Sequence, residues 1–198
     1  MTGEIRVGVI GAVWGERAHV PSIKDLPEFE LAAICTGHPE TAEAMKERTG
    51  APKAYSDVSQ LVQDPDIDLI TISTRVPLHK PFAEAALNAG KHVFSEWPMA
   101  LDVPEAQEMV RLAKDNNRIG SVGLQRRWSP VHMYLRHLVE DGYIGEVLNF
   151  SMNVFAPQYI QPTTTARWWL PIKEEGGNAL TIAGGSAIDS LCWVLGDP

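Results

Sequence analysis

The stretch IRVGVIGAVWGERAHVP, Ile5 to Pro21, is where a reading of the fold begins. Ile5 to Ile10 is a β-branched run broken by Gly8, the signature of a buried strand. It passes directly into Gly11-Ala12-Val13-Trp14-Gly15, a turn, and then into a helical pattern. A strand, a glycine turn and a helix in that order open a βαβ unit, and free backbone N–H groups at such a helix start can hold a phosphate. A dinucleotide turn wants G-x-G-x-x-G, for the tight turn, the close approach of the pyrophosphate and the packing of helix on strand. Only Gly11 stands in place; Val13 holds the second position, Glu16 the third, and Gly15 falls one residue early. A plain structural turn is the competing reading, and the position after the first strand favours the dinucleotide.

Outward from this turn, strand and helix patterns alternate at roughly 30-residue spacing, as in a parallel sheet built of βαβ units. The expected strands are Glu30 to Cys35, Lys53 to Tyr55, the apolar and central Ile67 to Ser73, Val93 to Ser95, and Ile119 to Val122. Helices are expected over Pro39 to Thr49 and Pro77 to Ala89, and after Asp102, which can cap a helix with Pro104 in its first turn. After residue 123 the pattern changes. LQRRWSP is a polar connector, and Ser129-Pro130 starts a helix that stops at Gly142. Glu146 to Phe155 roughly alternates, as a strand with one wet face and an unpaired edge. Residues 156 to 175 form a long loop carrying Trp168-Trp169, and a last helix closes at Gly196. The expectation is therefore α/β: a doubly wound parallel sheet in residues 1–123, then an incomplete α+β open-sheet domain in 124–198, as a fragment or a truncated product.

Composition bounds the function. Of 198 residues 44% are hydrophobic and 21% charged, an ordinary globular balance, and the net charge of −8 argues against nucleic acid and against anionic membrane. Cys35 and Cys192 lie far apart in apolar segments and read as buried free thiols of a reducing compartment. MTGEIRVGVIGAV has no basic region before its apolar run, so it reads as a strand and not a signal peptide, and no apolar run approaches the roughly 20 residues of a membrane span. The protein is expected in the cytoplasm, or in the nucleus if it is regulatory. An exposed sheet edge implies a homo-oligomer or a protein partner.

Nicotinamide choice is read at the end of the second strand, where an acid holds a ribose 2′-hydroxyl. Here the chain reads Cys35-Thr36-Gly37-His38, with no acid before Glu40. Thr36 and His38 can donate to a 2′-phosphate, a lean toward NADP over NAD; an ordinary surface histidine is the alternative for His38. A short-chain dehydrogenase would need a Tyr with a Lys four residues on. Tyr55, Tyr134, Tyr143 and Tyr159 are followed at that spacing by Ser59, Leu138, Val147 and Thr163.

VGVIGAVWGERAHVPSI, STRVPLH, SEWP, LQRRWSP and DGYIGEV, in this order, resemble the glucose-fructose oxidoreductase, inositol dehydrogenase and MocA (Gfo/Idh/MocA) family, with its N-terminal Rossmann domain. The likeness is nearest to the branch holding the galactose-regulon repressor of yeasts, which binds a dinucleotide but acts by protein contact. By this resemblance Gly11, Ala12, Val13 and Trp14 meet the pyrophosphate, and Thr36 and His38 lie near the adenosine ribose. Ser73, Thr74, Arg75 and His79 line the nicotinamide side, Glu96 and Trp97 follow on, and Arg127 stands at the entrance to the second domain. Family members continue well past Pro198.

The catalytic positions do not carry over. Family enzymes read a Lys between Glu and Pro; VFSEWPMAL, Val93 to Leu101, has Trp97 there. They read an Asp and, four residues on, a His where this chain has Ile182 and Ser186. Removing a hydride from an alcohol needs a base for the hydroxyl proton, worth about 10² to 10⁴ in rate, and an indole N–H cannot accept a proton. His79, Glu96 and Tyr159 remain as substitutes. Impaired catalysis is the expectation. The alternatives are an active oxidoreductase acting on a CH–OH group of a sugar-like or other small ligand, or a dinucleotide-sensing co-regulator. No metal is implied.

Overall fold

The computed structural model describes residues 4–155 and 168–196. The chain divides into two compact units, Met1–Gly123 and Leu124–Pro198.

In the first unit six strands form one sheet: β1 (Ile5–Ile10), β2 (Phe29–Cys35), β3 (Lys53–Tyr55), β4 (Leu69–Ile72), β5 (His92–Glu96) and β6 (Gly120–Gly123). Their order is β3-β2-β1-β4-β5-β6, and every neighbouring pair is parallel. β1 therefore sits at the point where the strand order reverses, and a crevice opens there at the carboxyl ends of β1 and β4. β4 is shorter than the apolar run around it. Ile67 is buried but lies before the strand, and Ser73 has left it.

Alternation along β1 explains the two cores. Val7 and Val9 pack on one face with Val20, Ile23, Ile34 and Met45. Ile10 packs on the other face with Ile70, Ile72, Leu87 and Met109. The covering helices are α1 (Val20–Asp25), α2 (Pro39–Thr49), α3 (Val58–Gln63), α4 (His79–Asn88) and α5 (Val103–Asp115). The ends of α2 are as the sequence reads, with Gly50 at φ +68° closing it. Asp102 caps α5 by accepting the Glu105 N–H at 2.9 Å. α3 escaped the sequence reading, although Asp57 caps it by accepting the Ser59 N–H at 2.8 Å.

One local irregularity matters for the site. Residues Gly15–His19 form a π-helical turn ahead of α1, and the Val20 N–H reaches back to Gly15 O. Pro21 has no N–H, and its ring would crowd the carbonyl of Arg17 in a regular helix. Widening the preceding turn is the relief, and it rotates His19 inward. His19 is 8% exposed.

The second unit holds α6 (Pro130–Glu140) and α7 (Gly185–Leu195). Ser129 caps α6, accepting the His132 N–H. Another π-helical turn, Ala179–Gly184, is capped by Asn178 and Thr181. The strand expected over Glu146 to Phe155 is not formed; these residues are exposed and carry no regular structure. Alternating side chains alone do not make a strand, because its N–H and C=O groups need a partner strand, and among the described residues of this unit there is none. Tyr159 and most of the 156–175 loop lie outside the described residues. Cys35 is buried, its thiol pushed up to about 12 by burial and, less, by Asp57; Cys192 is only half-buried, which corrects the expectation for that thiol.

Candidate dinucleotide site

The floor of the crevice is the Gly11 turn. Gly11 has φ +112°, and a Cβ there would lie 2.5 Å from Ser73 O. The Ser73 N–H and hydroxyl both donate to Ile10 O, at 2.9 and 3.0 Å, so the β1 and β4 ends are tied together beneath the turn. Gly15, one residue early for the motif, is the packing glycine. A Cβ on it would meet Ser73 Oγ at 2.7 Å and Val9 Cγ1 at 2.9 Å. The missing third glycine is thus replaced by a shifted one.

The turn fits a dinucleotide phosphate. The Gly11 N–H is spent on Cys35 O at 3.0 Å, and the first bond of the following helix is Glu16 N–H to Ala12 O at 3.3 Å. The N–H groups between them precede any intrahelical acceptor and face the helix N-terminus, where an anion is favoured. Val13 and Trp14 stand 53% and 49% exposed at this turn. At the end of β2, the Thr36 hydroxyl donates to His38 O at 3.0 Å and pairs with Thr41 Oγ1 at 2.6 Å, so it shapes the loop more than it offers a donor. His38 is exposed at the N-cap of α2 and makes no side-chain cap bond.

At the other half of the sheet, Glu96 ends β5 and bonds His19 Nε2 through Oε1 at 2.8 Å. The side chains are 14% and 9% exposed. The His19 ring stands edge-on to Phe94 at 5.6 Å, and its Nδ1 is buried with no hydrogen-bond partner among the described residues. Sequence reasoning missed His19. The available signal was a histidine two residues before a proline inside a helical, apolar pattern. His79, a candidate base, is 1% exposed. Its Nδ1 lies 2.8 Å from Pro98 O and its Nε2 3.0 Å from Thr74 O. Burial lowers its affinity for a proton, against the pull of those carbonyls. The ring ties the loop after β4 to the Glu-Trp-Pro segment and offers no open nitrogen, which removes it as an acceptor of substrate protons. Trp97 is half-buried and joined to Pro98 by a cis peptide bond.

In the second unit, Arg127 is paired with Asp189 and lies 5.5 Å from the Trp193 ring. Ser186 gives its hydroxyl to Ile182 O at 2.8 Å, an internal helix bond. Among the described residues no group of acids, histidines and cysteines could hold a metal, and no helix is long and apolar enough to cross a membrane.

Residues 5–124 match the family model "Oxidoreductase family, NAD-binding Rossmann fold", GFO_IDH_MocA. The chain is 30% identical to "Dehydrogenase aclE" of Aspergillus oryzae over its whole length and 56% of that protein. The structure of scyllo-inositol dehydrogenase from Lactobacillus casei with NAD(H) and scyllo-inositol is similar at 30% identity and TM-score 0.67, over 72% of this chain and 43% of that one. KijD10, a 3-ketoreductase from Actinomadura kijaniata in complex with TDP-benzene and NADP, is similar at 29% identity and TM-score 0.68, over 73% and 46%. The chain spans about half the length of the curated relatives it matches.

Proposed function

Because the chain belongs to the Gfo/Idh/MocA oxidoreductase family, we propose that it holds NAD(P) in the crevice over β1 and β4 with impaired hydride chemistry. The observation that carries this reading is the loss of a proton acceptor at three positions together, Trp97, Ile182 and Ser186. Trp97 has no basic atom. Ile182 has no polar group, and the Ser186 hydroxyl is spent on a backbone carbonyl. A bound nicotinamide supplies the hydride-accepting carbon; the chain's own residues must take the alcohol proton, and these three cannot. Gly11 to Trp14 would hold the pyrophosphate, Thr36 and His38 the adenosine ribose, and Ser73, Thr74, Arg75 and Glu96 the nicotinamide side, with Arg127 at the start of the second domain. The absence of an acid after β2 supports NADP over NAD. Residues 124–198 would be the start of the family's C-terminal α/β domain.

Two other readings have support. The Glu96–His19 pair could serve an active oxidoreductase on a sugar-like alcohol, since the Lactobacillus casei relative was crystallised with scyllo-inositol. Exposed Val131, Tyr134, Leu180 and Ile188 favour a protein partner or a second copy, as a cytoplasmic or nuclear co-regulator resembling the yeast repressor would need. The test is calorimetric titration of the full-length protein with NAD⁺, NADH, NADP⁺ and NADPH, then a hydride-transfer screen on sugars and polyols. Tight binding without turnover is expected. Turnover would overturn the impairment, and binding of none would overturn the reading entirely.

A further inference from the structure

We infer that His19 is a positioning residue for the nicotinamide half of the dinucleotide, acting through its bond to Glu96 and not by touching the ligand. The inference rests on the proposed dinucleotide reading and deepens it.

A doubly wound sheet with this strand order consists of two mononucleotide-binding halves. β1 to β3 serve one nucleotide, and β4 to β6 serve the other. By sequence His19 belongs to the first half. It closes the π-helical turn Gly15–His19, directly after the turn proposed to hold the pyrophosphate. By contact its ring belongs to the second half. Nε2 lies 2.8 Å from Glu96 Oε1, and the ring stands edge-on to Phe94 at 5.6 Å. Both partners are on β5, and β4 lies between β5 and β1. One side chain therefore reaches past a strand and joins the two halves.

Packing alone does not account for an imidazole here. The residue is 8% exposed and packs on Phe94. A leucine would fill such a place without bringing a polar atom. The imidazole brings Nδ1, which is buried and has no hydrogen-bond partner among the described residues. A buried nitrogen left in that state is destabilising. What the imidazole adds over a leucine is the bond at Nε2, and that bond goes to the carboxyl end of β5. It stands whichever of the two atoms carries the proton, so it does not depend on the charge of either side chain. Glu96 also lies against Gly123 at the end of β6, where a Cβ would come within 3.0 Å of both carboxylate oxygens. His19 is thus one of the groups that fix the carboxylate in place. A group fixed before its ligand arrives is not ordered at the ligand's expense, so it contributes more to affinity.

The test is the dissociation constant of the full-length protein and of His19→Leu, His19→Gln and His19→Asn. The ligands are NADP⁺, NAD⁺ and their adenosine halves, 2′,5′-ADP and ADP, the halves measured by competition. His19→Leu keeps the packing on Phe94 and removes the bond. Its affinity for the preferred dinucleotide should fall about tenfold, while the matching half stays within about twofold of wild type, because that half does not reach Glu96. His19→Gln can carry an amide near the place of Nε2 and should recover most of the loss. His19→Asn, one methylene shorter, should not. In a Glu96→Ala background His19→Leu should cause no further loss. Equal weakening of the dinucleotide and its half would make His19 a support of the turn and overturn the inference. An unchanged dinucleotide affinity overturns it too, as does a loss that persists in the Glu96→Ala background. If His19→Leu does not fold, the amide pair decides, and equal affinities of His19→Gln and His19→Asn for the dinucleotide count against it. Wild-type binding of none of the four ligands overturns the inference together with the reading beneath it.

Discussion

Replacing three glycines by alanine, one at a time, tests how the first turn is built. At Gly11 the added Cβ meets Ser73 O at 2.5 Å and Ser73 C at 2.9 Å, both backbone, and φ is +112°. Ser73 cannot retreat, because its N–H and hydroxyl are both bonded to Ile10 O. Strain of about 1–2 kcal/mol and overpacking of about 1–3 kcal/mol add to a loss of roughly 2–5 kcal/mol. At Gly15 the obstacles are two side-chain atoms, Ser73 Oγ at 2.7 Å and Val9 Cγ1 at 2.9 Å. Those can shift in part, so the loss should be about 1–3 kcal/mol. Gly37 has nothing within 4 Å, and its alanine should stay within about 0.5 kcal/mol of wild type.

The assay is urea unfolding at pH 7, with NADP⁺ affinity measured alongside. A Ser73→Ala background sharpens it. Removing Oγ takes away the nearest obstacle at Gly15 but leaves the backbone contact at Gly11. Gly15→Ala should recover about 1 kcal/mol in that background, and Gly11→Ala less. If Gly15→Ala proves as mild as Gly37→Ala, then Gly15 is not the packing glycine and the shifted-motif argument fails.

Two further outcomes follow from titrating groups. Burial pushes the Asp64 carboxyl up, but Lys53 Nζ at 2.8 Å, the Asp66 N–H at 2.9 Å and the Tyr55 hydroxyl at 2.7 Å outweigh it and hold it at about 2, against the usual 3.8. Its stabilisation is complete above 3.8 and lost as pH falls through about 2, so wild type should lose about 1 kcal/mol more than Asp64→Asn between pH 6 and pH 3 in urea unfolding; equal losses would count against the network. His79 is lowered by burial, so its contribution is complete above the usual 6.5 and falls away as pH drops through its folded value, with a slope of at most about 1.4 kcal/mol per pH unit. His79→Gln should be about 1–3 kcal/mol weaker at pH 8 and lack that slope, and parallel wild-type and variant curves would refute the assignment.

What the sequence made legible was whatever is decided within a few residues. Most of the six strands could be read because they are β-branched or apolar runs bounded by turn residues, and β3 and β6 from their place in the alternation. The ends of α2 could be read from Pro39 and Gly50, and the start of α5 from Asp102 and Pro104. Glu146 to Phe155 misled for the opposite reason. Its alternation is local, but a strand is a relation between two segments, and no local pattern supplies the second. α3 was missed because VSQLVQ is too short to display a helical period, so only its cap at Asp57 marks it.

The site divides along the same line. Gly11, Ser73 and Glu96 could be singled out because each ends or follows a strand, and the carboxyl ends of parallel strands are where a crevice must open. His19 belongs to no strand end. It reaches Glu96 across 77 residues of sequence, from the last residue of a π-turn that stands two residues before Pro21. A regular helix advances about 100° per residue, so one extra residue in a turn re-aims every side chain that follows. Thr36 differs again. Its residue type suits a phosphate donor, and within its short loop the one hydroxyl proton already has His38 O as an acceptor, with Thr41 Oγ1 alongside. Residue type marks what a side chain can do; which partner it takes is settled by the backbone around it, and at His19 and Thr36 that backbone departs from the regular form the type alone suggests.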